Sequence, residues 1–310
     1  MAKYQIDKVL KKYQFVKIPY TKIMFPFINA YLALGEKTFS LPTDIKRTKY
    51  KIKGYKENQI DISVFEPLDA TEPLPCLLYL HGGGFSMKAS RHHFSLMCEY
   101  ARQTPCKVVF VGYHLSPKYA YPHGLLDAYA ALTWVYTNAF DLGIKKEQIA
   151  VGGDSAGGTL AAALTHMARD KGFPNICFQM LIYPVMDMRQ QTESMGRFKD
   201  TPLWDSILNQ KMWHYYVSDG FDKSEIAYIS PAQADSFLYL PSAYIEVAEF
   251  DCLRDEGANY AKTLEKNGVF VTLNQTKGTI HGYDIALKSE IVKQALDKRI
   301  EALRYAFFQL

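Results

Sequence analysis

The sequence predicts an α/β fold, a mostly parallel central sheet with helices on both faces and a helical cap at one end. Three observations lead there. Five short apolar runs of strand length recur along the chain: "PCLLYLH", "CKVVFVGY", "QIAVGGD", "CFQMLIYP" and "SAYIEVAEF". Runs that are apolar throughout suit strands buried on both faces, as in a parallel sheet. Segments with helical periodicity separate them, and strands alternating with helices imply a layered α/β architecture. Third, that rhythm breaks once: residues 187–230 contain "TPLWDSILNQKMWHYYVSDGF", helical and aromatic, between two strands.

Taken in order, residues 1–45 read as mostly helical, with the aromatic-rich patch "YTKIMFPFINAYLALG", and form one expected piece of the cap. Residues 46–310 form the α/β domain. In it "TKYKIKGY" and "QIDISVFEP" alternate with a period of two, as half-buried strands do. The basic stretch 46–56 alternates with apolar residues and suits an exposed edge strand. "HGLLDAYAALTWVYTNA" (123–139) places Leu126, Tyr129, Leu132 and Val135 on one helical face. "SAGGTLAAALTHMARDKG" (155–172) ends on Gly172 and "EGANYAKTLEKNG" on Gly268, glycines suited to helix C-termini. "VFVTLNQTKG" is the last strand, and "KSEIVKQALDKRIEALRYAFFQL" a terminal amphipathic helix. The insertion 187–230 is the second piece of the cap. The two pieces carry Phe25, Phe27, Tyr31, Trp204, Trp213, Tyr215 and Tyr216, expected either to close a bounded apolar pocket or to pack the cap onto the sheet.

Composition excludes several classes of function. The 310 residues are 48% hydrophobic and 22% charged, with a net charge of +4. No basic stripe of the kind nucleic acid requires stands out, so no nucleic-acid partner is expected. The five cysteines are odd in number and form no C-x-x-C pair, which reads as buried thiols of a reduced, cytoplasmic protein. The opening "MAKYQIDKVLKKYQFVK" lacks a signal-peptide core. The charge-free run 73–87 is too short and glycine-rich to span a bilayer, so no integral membrane association is expected. No cluster of His, Cys and carboxylates has ligand spacing, so neither metal nor cofactor is expected. A homodimer is left open.

The chemistry begins at "VGGDSAGG", 151–158, where Gly153 to Gly157 fit G-x-S-x-G between a strand and a helix. A turn that tight strains the serine backbone and forbids bulk two residues to either side, which makes Ser155 a candidate nucleophile. An earlier strand ends in "HGGGF", 81–85. Consecutive glycines are costly to order, so the backbone itself is wanted there. Acyl transfer at a serine builds an oxyanion, and each backbone N–H aimed at it is worth about 3 kcal/mol. Gly83, Gly84 and Ala156, the residue after the serine, are the candidate donors. Gly82 provides the turn and His81 anchors the loop. No phosphate-loop pattern follows the glycines.

Three histidines follow Ser155. His166 lies within the helix that Ser155 opens and cannot turn back, and His214 falls in the cap. His281, on a loop after the last strand, is the candidate base. The acid comes from "SAYIEVAEFDCLRDEG". Asp251 stands at the C-terminal end of a strand, where catalytic groups gather in open α/β sheets. Glu246 lies inside the strand and is a weaker alternative; Asp255 and Glu256 read as charges at a helix start. His281 would take the serine proton while Asp251 orients the ring.

Together these motifs resemble the hormone-sensitive-lipase-like esterases (family IV carboxylesterases) of the α/β-hydrolase fold. The resemblance runs in order through "HGGGF" (81–85), "YHLSPKYAYPHGLLDAYAALTWV" (113–135), "GDSAGG" (153–158), "LIYPVMD" (181–187), "LPSAYIEVAEFDCLRDEG" (240–257) and "HGYD" (281–284). It implies the acid role for Asp251, the oxyanion role for Gly83, Gly84 and Ala156, and a cap built from an N-terminal segment and an insertion after the sixth strand. Cys252 stands where proline is usual in that family, Lys118 where an acid is usual, and Tyr283 where phenylalanine is usual. Asp127 and Asp187 match family positions and read as structural. The expectation is a serine carboxylester hydrolase for small to medium-chain uncharged esters, with Phe85 and Trp213 lining the substrate pocket. An amidase such as an arylformamide hydrolase and a non-catalytic small-molecule binding module are the competing readings.

Overall fold

The computed structural model describes residues 3–309. Eight strands build one sheet: β1 (Ile45–Lys53), β2 (Gln59–Pro67), β3 (Leu74–Leu80), β4 (Lys107–Gly112), β5 (Ile144–Asp154), β6 (Phe178–Ile182), β7 (Ser242–Phe250) and β8 (Val271–Ile280). Their order across the sheet is β1-β2-β4-β3-β5-β6-β7-β8. β1 pairs antiparallel with β2 and β2 with β4, while every later pairing is parallel. The antiparallel pair is the alternating one at the edge of the sheet, the five continuous apolar runs are β3 to β7, and the parallel β8 forms the other, half-exposed edge. The α/β-hydrolase fold follows from this order.

The helices are α1 (Phe25–Lys37), α2 (Arg91–Gln103), α3 (His123–Thr137), α4 (Ala156–Lys171), α5 (Glu193–Arg197), α6 (Ser206–Tyr216), α7 (Ile226–Ile229), α8 (Arg254–Lys266) and α9 (Glu290–Phe308). Side chains of α3, α4 and α8 join one buried layer of the core, and those of α2 and α9 join the other. The sheet is therefore covered on both faces. α4 is buried along most of its length and rich in alanine, so it lies close under the central strands. Its N-terminal glycines permit this. A Cβ at Gly157 would run into the Leu80 and His81 carbonyls, and one at Gly158 into Pro184.

Two features depart from the sequence reading. α2 carries no apolar run that marks it, and its start rests on Ser90 paired reciprocally with His93, an atypical N3 residue. Residues 1–45 are less helical than expected. Within the described part of that segment only α1 and a 3-10 turn at Lys11–Tyr13 are helical. The rest is irregular chain pinned from point to point: Ile6, Leu10 and Tyr20 are buried, the Asp7 N–H bonds Gly278 O at 2.8 Å, and Lys17 bridges Leu203. The N-terminal segment touches the 187–230 insertion through aromatic rings. Tyr20 meets Trp204 edge-on at 5.3 Å, and Phe25 meets Tyr215 at 5.6 Å. Phe27 and Tyr31, expected to close or pack a cap, do neither: they are 68% and 76% exposed.

Candidate active site

The turn from β5 into α4 carries Ser155 at φ 54°, ψ −120°, a conformation that costs a non-glycine residue about 1–3 kcal/mol. Gly153 and Gly157 face each other across this turn with no room for a Cβ on either. The Ser155 N–H donates to Ile182 O at 2.8 Å, which fixes the elbow to the end of β6. The hydroxyl stands at the N-terminus of a sixteen-residue helix, where the dipole favours a developing negative charge.

Because β5, β7 and β8 run parallel, the loops at their C-terminal ends meet at one end of the sheet. That brings together three residues far apart in sequence. The Ser155 hydroxyl lies 2.8 Å from His281 Nε2, and His281 Nδ1 lies 2.7 Å from Asp251 Oδ2. Asp251 is fully buried, and its other oxygen, Oδ1, accepts the Leu253 N–H at 3.0 Å. The alternatives fall elsewhere. Glu246 is fully buried and engaged by Arg299, Nη2 to Oε1 at 2.5 Å, in a cluster that also holds Asp284. His166 is buried against the Tyr260 hydroxyl at 3.2 Å, and His214 is exposed. Asp255 accepts the Ser194 N–H at 2.7 Å. Glu256 is not the surface charge expected at a helix start. Burial pushes its carboxyl well above the usual range, and its Oε1 accepts the Met186 N–H.

The glycine loop arches beside the serine. Gly83 and Gly84 have φ of 117° and 61°, conformations that glycine adopts without strain. Neither N–H has a protein acceptor among the described residues. The Ala156 N–H opens α4 and has no intrahelical partner. His81 Nδ1 lies 2.7 Å from Gly82 O, its ring stacks on Tyr113, and burial lowers its pKa to about 4.

What holds this loop to the elbow is a pair that the sequence reading passed over. Asp154 accepts the Gly82 N–H at 3.0 Å and the Tyr79 hydroxyl at 3.1 Å, and it lies 3.2 Å from His93 Nε2. The Ser90 N–H donates to His93 Nδ1, so Nε2 carries the proton and donates to the carboxylate. Burial alone would raise the Asp154 carboxyl, but His93 and the Gly82 N–H hold it well below the usual range. Asp154→Asn should therefore cost about 1–3 kcal/mol of stability, because an amide nitrogen facing the His93 Nε2–H leaves two buried donors without an acceptor. It should also lower kcat by loosening Gly82. Urea unfolding that shows no loss would remove Asp154 from this role.

Comparison with known proteins decides the family. Residues 77–285 match the model of the alpha/beta hydrolase fold family. The carboxylesterase NlhH of Mycobacterium tuberculosis is 36% identical over 266 residues, 84% of this chain and 83% of NlhH. Among solved structures, a bacterial heroin esterase superposes with a TM-score of 0.84 at 33% identity, covering 91% of this chain and 92% of its own. The esterase LipW from Mycobacterium marinum gives 0.88 at 29% identity, covering 98% and 96%.

This chain belongs to the hormone-sensitive-lipase-like esterases of the α/β-hydrolase fold. It is a serine hydrolase of the carboxylesterase kind.

In this esterase the serine is enclosed. Ser155 and His281 are 5% and 7% exposed. Trp204 lies over them, its ring 6.0 Å from His281, and its indole edge meets Gly84 so closely that a Cβ there would touch it. Tyr20 joins that cover and donates its hydroxyl to Gly84 O at 2.5 Å. Trp204 is among the cap aromatics that the sequence singles out, whereas no local pattern marks Tyr20 for this place. Phe85 and Trp213 are both buried. Phe85 stacks on Tyr216 with centroids 3.7 Å apart, and Trp213 lies 6.3 Å from Phe85. A cavity of about 550 Å³ opens behind the glycine loop, between α1 and the ends of β2 and β4. It reaches Ser86 and Ser116, but Ser155, His281, Phe85 and Trp213 do not line it.

Proposed function

We propose that the enzyme hydrolyses small to medium-chain uncharged carboxylic esters through Ser155, His281 and Asp251, with Gly83, Gly84 and Ala156 as the oxyanion donors. The observation that carries this is the continuous relay from Asp251 Oδ2 through the His281 ring to the Ser155 hydroxyl, at 2.7 and 2.8 Å. With Nδ1–H donated to Asp251, Nε2 is free to accept the serine proton. Ser155 Oγ attacks the ester carbonyl carbon, and its proton passes to Nε2. The carbonyl oxygen becomes an oxyanion beside the three backbone N–H groups. Collapse expels the alcohol, which takes the proton from His281. Water then attacks the acyl-enzyme by the same route, releasing the acid and restoring the serine.

The N-terminal segment and the 187–230 insertion act as a cap, and the acyl chain is taken into the apolar wall around Phe85 and Trp213. Support comes from polar atoms in that wall. Trp213 Nε1, Tyr216 Oη and Trp204 Nε1 are buried without a hydrogen-bond partner among the described residues. Such groups cost about 1–3 kcal/mol each unless a partner, here a substrate oxygen, meets them. All five cysteines are unpaired, which supports a cytoplasmic setting.

A panel of p-nitrophenyl esters from acetate to palmitate, assayed beside an arylformamide, tests this reading. Each buried methylene adds about 0.8 kcal/mol, close to fourfold in kcat/KM, until the pocket is full. The profile should rise, peak at a medium chain and fall, with the arylformamide slower than the best ester. Trp213→Ala should move the peak. Palmitate as the best substrate would refute the bounded pocket, an unmoved peak would remove Trp213 from it, and a faster arylformamide would make the enzyme an amidase.

A further inference from the structure

The helix α1 is apolar on both sides. Phe25, Ile28 and Leu32 face the protein, and the only charged residues in "FPFINAYLALGEK" are the penultimate Glu36 and the last, Lys37. A helix apolar all round is ordinarily buried. Here the outer side is open to solvent: Phe27 is 68% exposed, Tyr31 76% and Leu34 56%, with Ile23 just ahead at 79%. Spacings of four, four and three residues set these side chains in one stripe. Phe15, in the irregular chain before α1, is 87% exposed.

Basic residues are concentrated in the same N-terminal part of the chain. Residues 1–53 hold twelve of the chain's Lys and Arg and only three of its Asp and Glu, although the whole chain has a net charge of only +4. The rest of the protein is therefore net acidic. Lys22, just ahead of α1, and Lys37, its last residue, are exposed and pair with no carboxylate among the described residues; Lys8, Lys11 and Lys12 follow Asp7, whose N–H bonds Gly278 O beside the β8 edge. The edge strand β1, tied to α1 through Glu36 with Arg47 and Lys49, adds the exposed, unpaired Lys51, while Lys46, Lys49 and Lys53 are paired with Glu66, Glu36 and Glu57.

From this juxtaposition we propose that the α1 face docks on an anionic lipid bilayer, its apolar stripe in the interface and its lysines over the headgroups. Exposed aromatic and aliphatic side chains flanked by lysines are what a surface-lying helix presents to anionic lipid. A second copy of the chain fits less well, because a two-fold contact would set one basic surface against another. Nucleic acid would leave the stripe uncovered. Docking has a consequence for access. Tyr20 and Phe25, at the base of this face, pack on the aromatic cover above Ser155, so the site is held beside the membrane, where apolar esters concentrate.

Vesicle sedimentation of the whole protein tests the proposal, with phosphatidylcholine alone against phosphatidylcholine containing about one-third phosphatidylglycerol. The wild type should bind the anionic vesicles roughly tenfold better, and the excess should disappear at about 0.5 M salt as the charges are screened. Phe27→Asp with Tyr31→Asp, and separately Lys37→Glu with Lys51→Glu, should each lose roughly tenfold in binding. Hydrolysis of soluble p-nitrophenyl acetate and the thermal midpoint should stay at wild-type values in both, since these side chains face solvent away from the serine. Equal binding to both vesicles, or wild-type binding by either variant, would overturn the proposal. So would a dimer in light scattering that Phe27→Asp dissociates while no vesicle is bound, or retention on RNA in place of vesicles.

Discussion

Replacing Ser155 by alanine is expected to lower kcat for a p-nitrophenyl ester by about 10⁶-fold while the protein stays folded. The elbow explains why the two effects separate. Its strain comes from the backbone at φ 54°, and alanine has the same Cβ as serine. The bonds that hold the turn are backbone bonds: Ser155 N–H to Ile182 O at 2.8 Å, Thr159 N–H to Ser155 O at 3.2 Å and Val185 N–H to Ser155 O at 3.3 Å. All of them survive the substitution. Only the hydrogen bond between Oγ and His281 Nε2 disappears. Activity should then fall to what the oxyanion donors alone supply, roughly 10³-fold over water. Steady-state kinetics with a thermal melt on the same sample decide it. A variant that keeps a tenth of the wild-type rate would mean the nucleophile is another group.

The strands were legible because burial on both faces leaves a mark that composition can show. "QIDISVFEP" coincides with β2, and the alanine-rich run after Ser155 coincides with α4. α2 was not legible for the opposite reason. "RHHFSLMCEYARQ" has no continuous apolar run: it buries one face, with Phe94, Met97, Tyr100 and Ala101, while charged and polar residues interleave along the sequence. The N-terminal segment misled because its aromatic density suggested a helix, whereas several of its buried residues are anchored singly by the domain beneath.

In the site, what local pattern encodes was readable: G-x-S-x-G, three glycines after a strand, an aspartate at a strand end. Parallel topology then brings their loops to one end of the sheet, so order along the chain was enough to nominate Ser155, Asp251 and His281. Contacts made across the fold left no local mark. Asp154 reads as a spacer within "GDSAGG", yet it ties together Tyr79, Gly82 and His93 from three separate elements. Glu246 and Asp251 are five residues apart on the same strand and its exit. Only the structure shows that Arg299 of α9 takes the first and leaves the second for His281.

Asp251→Asn should cost about 10⁴-fold in kcat, the size of the corresponding loss in a serine protease, whereas Asp255→Asn should change kcat/KM only a few-fold. The wiring of Asp251 makes the amide harmful. Oδ1 accepts the Leu253 N–H at 3.0 Å, while Oδ2 faces His281 Nδ1 at 2.7 Å. An asparagine that keeps its oxygen on Leu253 turns its NH₂ toward His281. The ring must then present a bare Nδ1 and carry its proton on Nε2, where it can no longer accept the serine proton. The opposite flip sets the NH₂ against the Leu253 N–H, two donors with no acceptor in a fully buried position. Both orientations damage the relay, and the first is the one the backbone favours. Asp255 has no such link to the ring. It accepts the Ser194 N–H at 2.7 Å and pairs with Arg254 at 2.7 Å, a quarter exposed, so its loss should cost about 0.5–1 kcal/mol of stability. Kinetics on the two variants, paired with urea unfolding, separate catalysis from folding. If Asp255→Asn proved the more damaging to kcat, the acid of the relay would have to be reassigned.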